Sequence, residues 1–407
     1  MPSEFRPLWP LDPASEFMNH GSFGATPTAV LEAQTALRQR MEAEPIAFFS
    51  RDLEPMLDAA RAVVATFVGA DPDDLAFTDN ATSAVNAVLR WLPLEPGDEL
   101  LTTDHEYNAC RNALAAAATW TGARVVTVPL PFPSGGPEEV RGRVLAAVTP
   151  RTRLAVIDHV TSATALVFPI EELVAELAAR GVDTLVDGAH APGQLDLNID
   201  RMGAAYYAGN LHKWVCAPKG AGFIHVRRDR QVGYHPLVVS HGANSERTDR
   251  SRFRLESDWT GTRDPTAWLS VPTAIEYVGG LLPGGWSALR LRNRDLALRG
   301  RDLLCAALAT TAPAPDAMIG CMASVPLPEE AGGGRVQGVD LYGDPIHDGL
   351  LARGLQCMVT PWPQRPEGGP WRRLIRISAA PYNDLGQFQR LASALLEVLT
   401  ERPSPAS

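Results

Sequence analysis

The sequence predicts an α/β fold: a large domain with a mostly parallel sheet sandwiched by helices, followed by a smaller α+β C-terminal domain. Three observations predict it. Short apolar, β-rich runs alternate with helical patterns up to about residue 265; polar residues such as Asp158 and Asp187 fall at the ends of those runs; and the texture changes after Pro265. Strands that alternate with helices form a sheet that is mostly parallel and covered on both faces.

Taken in order, the runs that read as strands are Leu75 to Thr78, Glu99 to Thr102, Arg124 to Val128, Leu154 to Asp158, Thr184 to Asp187, Ala204 to Ala208 and Gly222 to Val226. The helical apolar period predicts helices over Val30 to Met41, Pro55 to Val68, Asn108 to Trp120 and Glu171 to Arg180. Beyond Pro265, a helical tract from Thr266 to Val278 meets a Pro-Gly-Gly break and continues as an Arg-rich helix, Trp286 to Leu308. A Gly332-Gly333-Gly334 loop, strands around Gln337 to Tyr342, Gln356 to Val359 and Leu374 to Ser378, and a final amphipathic helix from Asp384 to Leu399 complete the pattern. The expected organisation is an N-terminal segment over 1–25, a large domain over 26–265, a small domain over 266–401 and a tail over 402–407.

At 407 residues, 45% hydrophobic and 21% charged, the chain is long enough for a large core. Its formal charge of −10 argues against nucleic acid or an anionic membrane as partner, because both need a basic face. No apolar run approaches the roughly 20 residues of a membrane span. The start, M-P-S-E-F-R-P-L-W-P, lacks a basic region followed by an apolar core, so the cytoplasm is the expected compartment. Five scattered cysteines without a C-x-x-C support neither a disulfide framework nor a thiolate metal site.

Of 37 lysines and arginines only two are lysines, Lys213 and Lys219, and both lie in the stretch Y-Y-A-G-N-L-H-K-W-V-C-A-P-K. Arginine cannot lose its proton at working pH, so a retained lysine reads either as a task needing a neutral amine, for which Lys213 is the candidate ahead of Lys219 in its Pro-Lys-Gly turn, or as the chance remainder of a codon bias against lysine. Lys213 follows one strand end and Asp187 closes another, and ligands of such sheets bind at the carboxyl ends of strands. An amine and a carboxylate so placed can contact opposite ends of one flat ring, which fits pyridoxal 5′-phosphate (PLP). The aldehyde of PLP needs an amine, and its ring nitrogen needs a carboxylate. Its phosphate needs donors, and D-N-A-T-S-A-V-N-A-V from Asp79 to Val88 reads as a helix entry that offers them. Taken singly, Asp187 also reads as a loop cap and N-A-T as a plain helix cap.

These residues carry a family resemblance. The motifs D-G-A-H-A-P-G, from Asp187, and G-N-L-H-K-W-x-C-A-P-K-G, from Gly209, resemble those of the class V, fold-type I PLP enzymes and, within them, the isopenicillin N epimerase-like group. The similarity runs from N-H-G-S-F-G at Asn19 to I-R-I-S-A-A-P-Y-N-D ending at Asp384. It implies Lys213 as the Schiff-base lysine and proton carrier, Asp187 as partner of the pyridinium, and His190 beside the ring hydroxyl. Ala81, Thr82, Asn210 and His212 would hold the phosphate. Thr262, in W-T-G-T-R, would reach the phosphate of a second subunit, which implies a homodimer with shared active sites. Arg376 would bind the substrate carboxylate, and Asn19 would close the site. The wider class points to His105 as the group stacked on the ring, whereas the D-x-E-Y pattern of the epimerase-like group points to Tyr107; both stay open.

Departures from the family pattern narrow the reaction. The loop V-T-P-W-P-Q-R-P-E-G-G-P-W holds no nucleophilic cysteine, and Cys357 reads as core, which disfavours a cysteine desulfurase. Ser162 stands where the desulfurases have the Asn that binds the ring hydroxyl. What remains is chemistry at the α-carbon of an amino acid, with Trp362 and Trp371 reading equally as walls of a pocket for a substrate larger than alanine or as ordinary packing. The leading expectation is a C–S lyase acting on a cysteine S-conjugate in secondary metabolism, because elimination needs little beyond Lys213. The alternatives are an amino-acid epimerase using Tyr107 as second proton donor, an oxygen-dependent decarboxylation with oxidative deamination, and, behind them, an aminotransferase. A PLP-fold regulator and a metal hydrolase built on His159, His190 and His212 are the readings from other classes.

Overall fold

The computed structural model describes residues 3–328, 343–363 and 372–401. Seven strands form the large sheet: β1 (Leu75–Thr78), β2 (Glu99–Thr103), β3 (Arg124–Val128), β4 (Thr152–Asp158), β5 (Asp183–Gly188), β6 (Tyr206–Asn210) and β7 (Gly222–Val226). Their order across the sheet is β1-β7-β6-β5-β4-β2-β3. Strand β7 pairs antiparallel with β1 and β6, and the remaining pairs are parallel. The carboxyl ends of β4, β5 and β6 therefore lie side by side, which brings Asp158, Asp187 and Asn210 to one edge.

Helices cover both faces: α1 (Thr28–Ala43), α2 (Leu53–Val68), α3 (Ala81–Trp91), α4 (Asn108–Thr121), α5 (Pro137–Ala146) and α6 (Ile170–Ala178). Because side chains alternate along a strand, Leu154 and Val156 pack into one core with α3 and α4, while Ala155 and Ile157 pack into the other with α2 and α6. Each fully buried Val or Leu here contributes about 1.5–3 kcal/mol relative to an exposed one. Helix α3 starts at Asn80, whose Oδ1 accepts from the Ser83 N–H at 2.9 Å, and it buries Ala81, Ala84, Val85, Val88 and Leu89 as one stripe.

The smaller domain is built on an antiparallel sheet of β8 (Met322–Pro326), β9 (Met358–Trp362) and β10 (Arg372–Ser378), with β10 central. It packs against α7 (Gly285–Ala307) and α8 (Leu385–Thr400). Gly300 is the close-approach point, since a Cβ there would stand 2.6 Å from Ile377 and 3.0 Å from Phe388. Before the first helices, Glu16–Phe17 pairs in parallel with Leu355–Gln356, so the N-terminal segment is stitched to the small domain.

Several expectations shift. The run predicted at Ala204 to Ala208 forms its strand two residues later, which puts Asn210 at the strand end. The tract from Thr266 to Val278 divides into Thr266–Leu269 and Val271–Gly279, with Pro272, which has no N–H, in the first turn of the second helix. The run from Gln356 to Val359 divides at Cys357 between two sheets. Strand β8 and the helix Pro345–Leu351 have no counterpart in the sequence reading. The Gly332–Gly334 loop, the strand at Gln337 to Tyr342, Trp371 with most of its loop, and the tail lie outside the described residues. Among the described residues no helix is long and apolar enough to cross a membrane.

Helix α8 is anchored by a capping box between Asp384 and Gln387. Asp384→Ala is expected to lower stability by about 1 kcal/mol. A reduced urea midpoint with unchanged slope in chemical denaturation checks this; an unchanged midpoint would remove the cap from the account.

Candidate active site

After β6 the chain enters the loop that carries Lys213. His212 and Leu211 donate their N–H groups to the Ala221 carbonyl, and Cys216 N–H returns to the Lys213 carbonyl at 2.9 Å. The loop is held by close backbone contacts from outside. Gly24 has φ +70, and a Cβ there would stand 2.1 Å from the His212 carbonyl oxygen. Gly193 has φ +85, and its Cβ would stand 2.6 Å from the Trp214 carbonyl. Only glycine fits two such positions, which are both left-handed and sterically closed. His20 adds a further tie: its Nε2–H donates to the Lys213 carbonyl at 2.9 Å, and its Nδ1 accepts from the Tyr382 hydroxyl at 2.7 Å. Lys219 donates to the Gly24 carbonyl at 3.1 Å, so the second lysine fastens the loop that presents the first.

The Lys213 amine lies 3.2 Å from His190 Nε2. Burial pushes its pKa down from 10.5 to about 8, with the charge of Arg376 lowering it further and Asp187 opposing. Burial also drives His190 well below the ordinary imidazole range, and the charges of Lys213 and Arg376 add to the effect. His190 is thus a neutral imidazole, and its buried Nδ1 has no hydrogen-bond partner among the described residues. Asp187, 3% exposed, accepts from the Ala189 N–H at 2.9 Å and from the Cys110 thiol at 3.1 Å.

On the other side stands the N-terminus of α3. The Ala81 N–H donates to Asn210 Oδ1 at 2.8 Å, and Ser83 N–H is taken by Asn80. Between them Thr82, half-buried, has a main-chain N–H and a hydroxyl in the first turn. Gly222 lets β7 lie against this turn, since a Cβ would stand 2.7 Å from Asn80 Cα. His212 donates Nδ1–H to the Ala221 carbonyl at 3.0 Å, and burial lowers its pKa to about 4.

Arg376 projects from β10 and is 1% exposed. It donates to the Ser162 carbonyl at 2.6 Å, to Asn19 Oδ1 at 3.1 Å and to Ser22 Oγ at 2.9 Å. The Ser162 hydroxyl lies 3.5 Å from the same guanidinium. Ser162, Asn19 and Arg376 therefore form one cluster, linked to Lys213 through the Asn19–Gly24 segment.

The two aromatic candidates separate. His105 is 1% exposed, with Nδ1 on the Thr164 hydroxyl at 2.7 Å and Nε2–H on the Leu130 carbonyl at 3.2 Å. Phe132, Phe168 and Trp362 surround it, the last with ring centroids 4.3 Å apart, and burial lowers its pKa to about 4. Tyr107 sits at the start of α4 with 37% of its surface exposed. Thr262 is exposed, while the adjacent Arg263 pairs with Asp79 and lies over Trp268 at 4.6 Å. The histidines His159, His190 and His212 form no group within metal-ligand reach; among the described residues the one such group is Glu106, Cys110 and Asp187. Cys357 is buried, and burial pushes its thiol up to about 12, so it is no nucleophile.

Sequence reasoning missed His20, Ser22, Glu106 and Cys110. The motifs N-H-G-S-F-G and D-H-E-Y contained the first three. Nothing local marks Cys110, which reaches Asp187 only because α4 packs across the strand ends.

The donor set fits PLP. There is an amine with a lowered pKa for the aldehyde, a buried carboxylate for the ring nitrogen, a helix N-terminus for the phosphate, and a buried His190 Nδ1 without a hydrogen-bond partner among the described residues.

Comparison with known proteins agrees. The model of the aminotransferase class-V family matches residues 24–283. The isopenicillin N epimerase of Amycolatopsis lactamdurans is 39% identical over 402 residues, covering 95% of this chain and 96% of that one. An L-cysteine desulfhydrase of Arabidopsis thaliana is 33% identical over 329 residues, covering 77% and 71%. Among solved structures, the cystine C–S lyase C-DES in complex with its product cysteine persulfide superposes with a TM-score of 0.77 at 23% identity, covering 96% and 98%. This last likeness is one of fold.

Two outcomes are expected. Gly24→Ala places a Cβ against the His212 carbonyl in a left-handed backbone, so stability should fall by about 1–3 kcal/mol, with weaker retention of PLP in dialysis. Full retention and stability would show that the loop does not depend on this contact. In PLP-free protein, labelling of Lys213 by an amine-directed reagent requires the neutral amine, so it should rise with pH through a midpoint near about 8. A midpoint near the ordinary 10.5 would contradict the burial of this amine.

Proposed function

The chain belongs to the aminotransferase class-V family, and on that premise we propose that it is a C–S lyase that carries out β-elimination on a cysteine S-conjugate. It is a PLP-dependent enzyme acting on amino acids. PLP, when bound, supplies an electron sink that acidifies the α-carbon of an attached amino acid.

The remaining work falls to the chain's own residues. Lys213 Nζ takes the α-proton; with its pKa near about 8, a useful fraction is neutral close to neutral pH. His190 keeps that amine oriented at 3.2 Å. With PLP bound, Asp187 would meet the ring nitrogen, and Ala81, Thr82, Asn210 and His212 would hold the phosphate end. Arg376 binds the substrate carboxylate, its planar fork set by Asn19, Ser22 and the Ser162 carbonyl. In the overall reaction the Cα–H and Cβ–S bonds break, one water is consumed, and thiol, pyruvate and ammonia leave.

The observation that carries this reading is the pairing of a buried amine, whose pKa burial lowers to about 8, with a sealed imidazole. Lys213 is a complete base for elimination, whereas His105 is enclosed with both nitrogens engaged and cannot serve as a second proton donor. Similarity to L-cysteine desulfhydrases supports the same choice. A second reading, amino-acid epimerisation, is favoured by the near full-length similarity to isopenicillin N epimerases and by the exposure of Tyr107, which would protonate the opposite face. In either case the expected assembly is a homodimer in which Thr262 reaches the phosphate site of the second copy, and the expected location is the cytoplasm.

Proton NMR of the PLP-loaded protein in D2O with a bulky cysteine S-conjugate tests the choice. Pyruvate and free thiol are the expected products. Intact substrate that gains α-deuterium and loses optical purity would replace elimination by epimerisation. Lys213→Ala should lower turnover by about 10²–10⁴-fold at least. Arg376→Lys, which loses the bidentate fork, should raise KM about tenfold or more with a smaller change in kcat; an effect confined to kcat would move Arg376 away from ground-state carboxylate binding.

A further inference from the structure

Three carboxyl groups crowd the floor of the site. Glu106 is 0%, Asp158 2% and Asp187 3% exposed. Asp158 and Asp187 stand opposite one another in the register of β4 and β5. Glu106 arrives from the loop after β2, and one ligand atom each of Glu106, Cys110 and Asp187 lies within 4.8 Å of the others. Three negative charges are not buried together in this way without compensation, so protons must be shared out among them.

The hydrogen bonds say where the charge goes. Asp187 receives a donor on each oxygen, the Ala189 N–H at 2.9 Å and the Cys110 thiol at 3.1 Å. Glu106 Oε1 receives the Tyr107 N–H at 3.2 Å, but its Oε2 and Asp158 Oδ2 have no hydrogen-bond partner among the described residues. A buried ionised oxygen without a donor is far costlier than a protonated one.

We infer that Glu106 is a positioning residue that keeps its proton and that Cys110 couples it to Asp187, so that Asp187 alone carries the negative charge facing the ring nitrogen of PLP. The inference rests on the contact between Asp187 and that nitrogen. Glu106 is pushed well above the ordinary carboxylate range by burial and by the charge of Asp187, with the Tyr107 N–H, the Cys110 thiol and Arg111 of α4 opposing. Asp158 moves the same way through burial, Glu106 and Asp187, again with Arg111 opposing. Burial and the two acids also raise the Cys110 thiol, which therefore stays an S–H donor. A second anion at Glu106, or loss of the thiol donor, would change the charge and hydrogen bonding beside the cofactor ring and with them the protonation of that cofactor.

The test uses the full-length protein with and without PLP. Infrared difference spectra between wild type and Glu106→Gln at neutral pH should show loss of a carboxylic-acid carbonyl stretch in both forms. The PLP-free arm decides the proton on Glu106 even where the contact to PLP fails. In the PLP-loaded protein, Glu106→Gln, a neutral isostere, should leave the pH midpoint of the visible absorption band unchanged. Cys110→Ala should shift it by about one unit, tenfold in proton affinity, and Cys110→Ser should restore it. Loss of carboxylate rather than acid bands in Glu106→Gln would overturn the inference. So would a midpoint shift in Glu106→Gln as large as that in Cys110→Ala, or a stoichiometric divalent metal at Glu106, Cys110 and Asp187 in the purified protein.

Discussion

An amine held out of water is the constraint on which the rest of this structure depends. Removing Lys213 from solvent disfavours its charged form, and the fold must supply what keeps that strained environment in place. It does so with contacts to the loop's backbone rather than with a counter-charge. Gly24 and Gly193 let two separate segments press on the loop, His20 holds the Lys213 carbonyl, and Lys219 closes the loop onto Gly24. Main-chain contacts of this kind fix position without adding a counter-charge that would raise the amine's pKa again.

The same short N-terminal segment links the two halves of the site. His20 and Gly24 address the Lys213 loop, while Asn19 and Ser22 address Arg376 on the small domain. Because Glu16–Phe17 also pairs with Leu355–Gln356, the segment is tied to the small domain before it reaches the large one. The distance between amine and guanidinium is thus set by a handful of residues that belong to neither sheet. Charge is coupled as well as geometry, since Arg376 lowers both Lys213 and His190.

Much of the large domain was legible because its rules are local. A run such as Leu154 to Asp158 is apolar on both faces, which only a central parallel strand requires, and Asn80 ahead of an apolar stripe announces a helix start. The small domain was less legible. Strand β8, Met322–Pro326, carries a serine that is buried only because it bonds the Ala163 carbonyl across the site at 2.7 Å, and a local pattern cannot contain that partner. The division of the run around Cys357 between two sheets likewise reflects which partners stand on either side, the N-terminal segment for one half and β10 for the other.

By itself the sequence determined the fold class, the lysine, the aspartate at a strand end and the helix entry, because each follows from residue chemistry at a position set by local periodicity. Only the tertiary structure decided what surrounds them. It enclosed His105 in an aromatic box and left Tyr107 exposed, a choice between neighbours two residues apart that depends on Phe132, Phe168 and Trp362 arriving from distant segments. It also gathered Glu106, Asp158 and Cys110 around Asp187. Desolvation and charge sharing are properties of the packed assembly, so no reading of one stretch of chain can supply them.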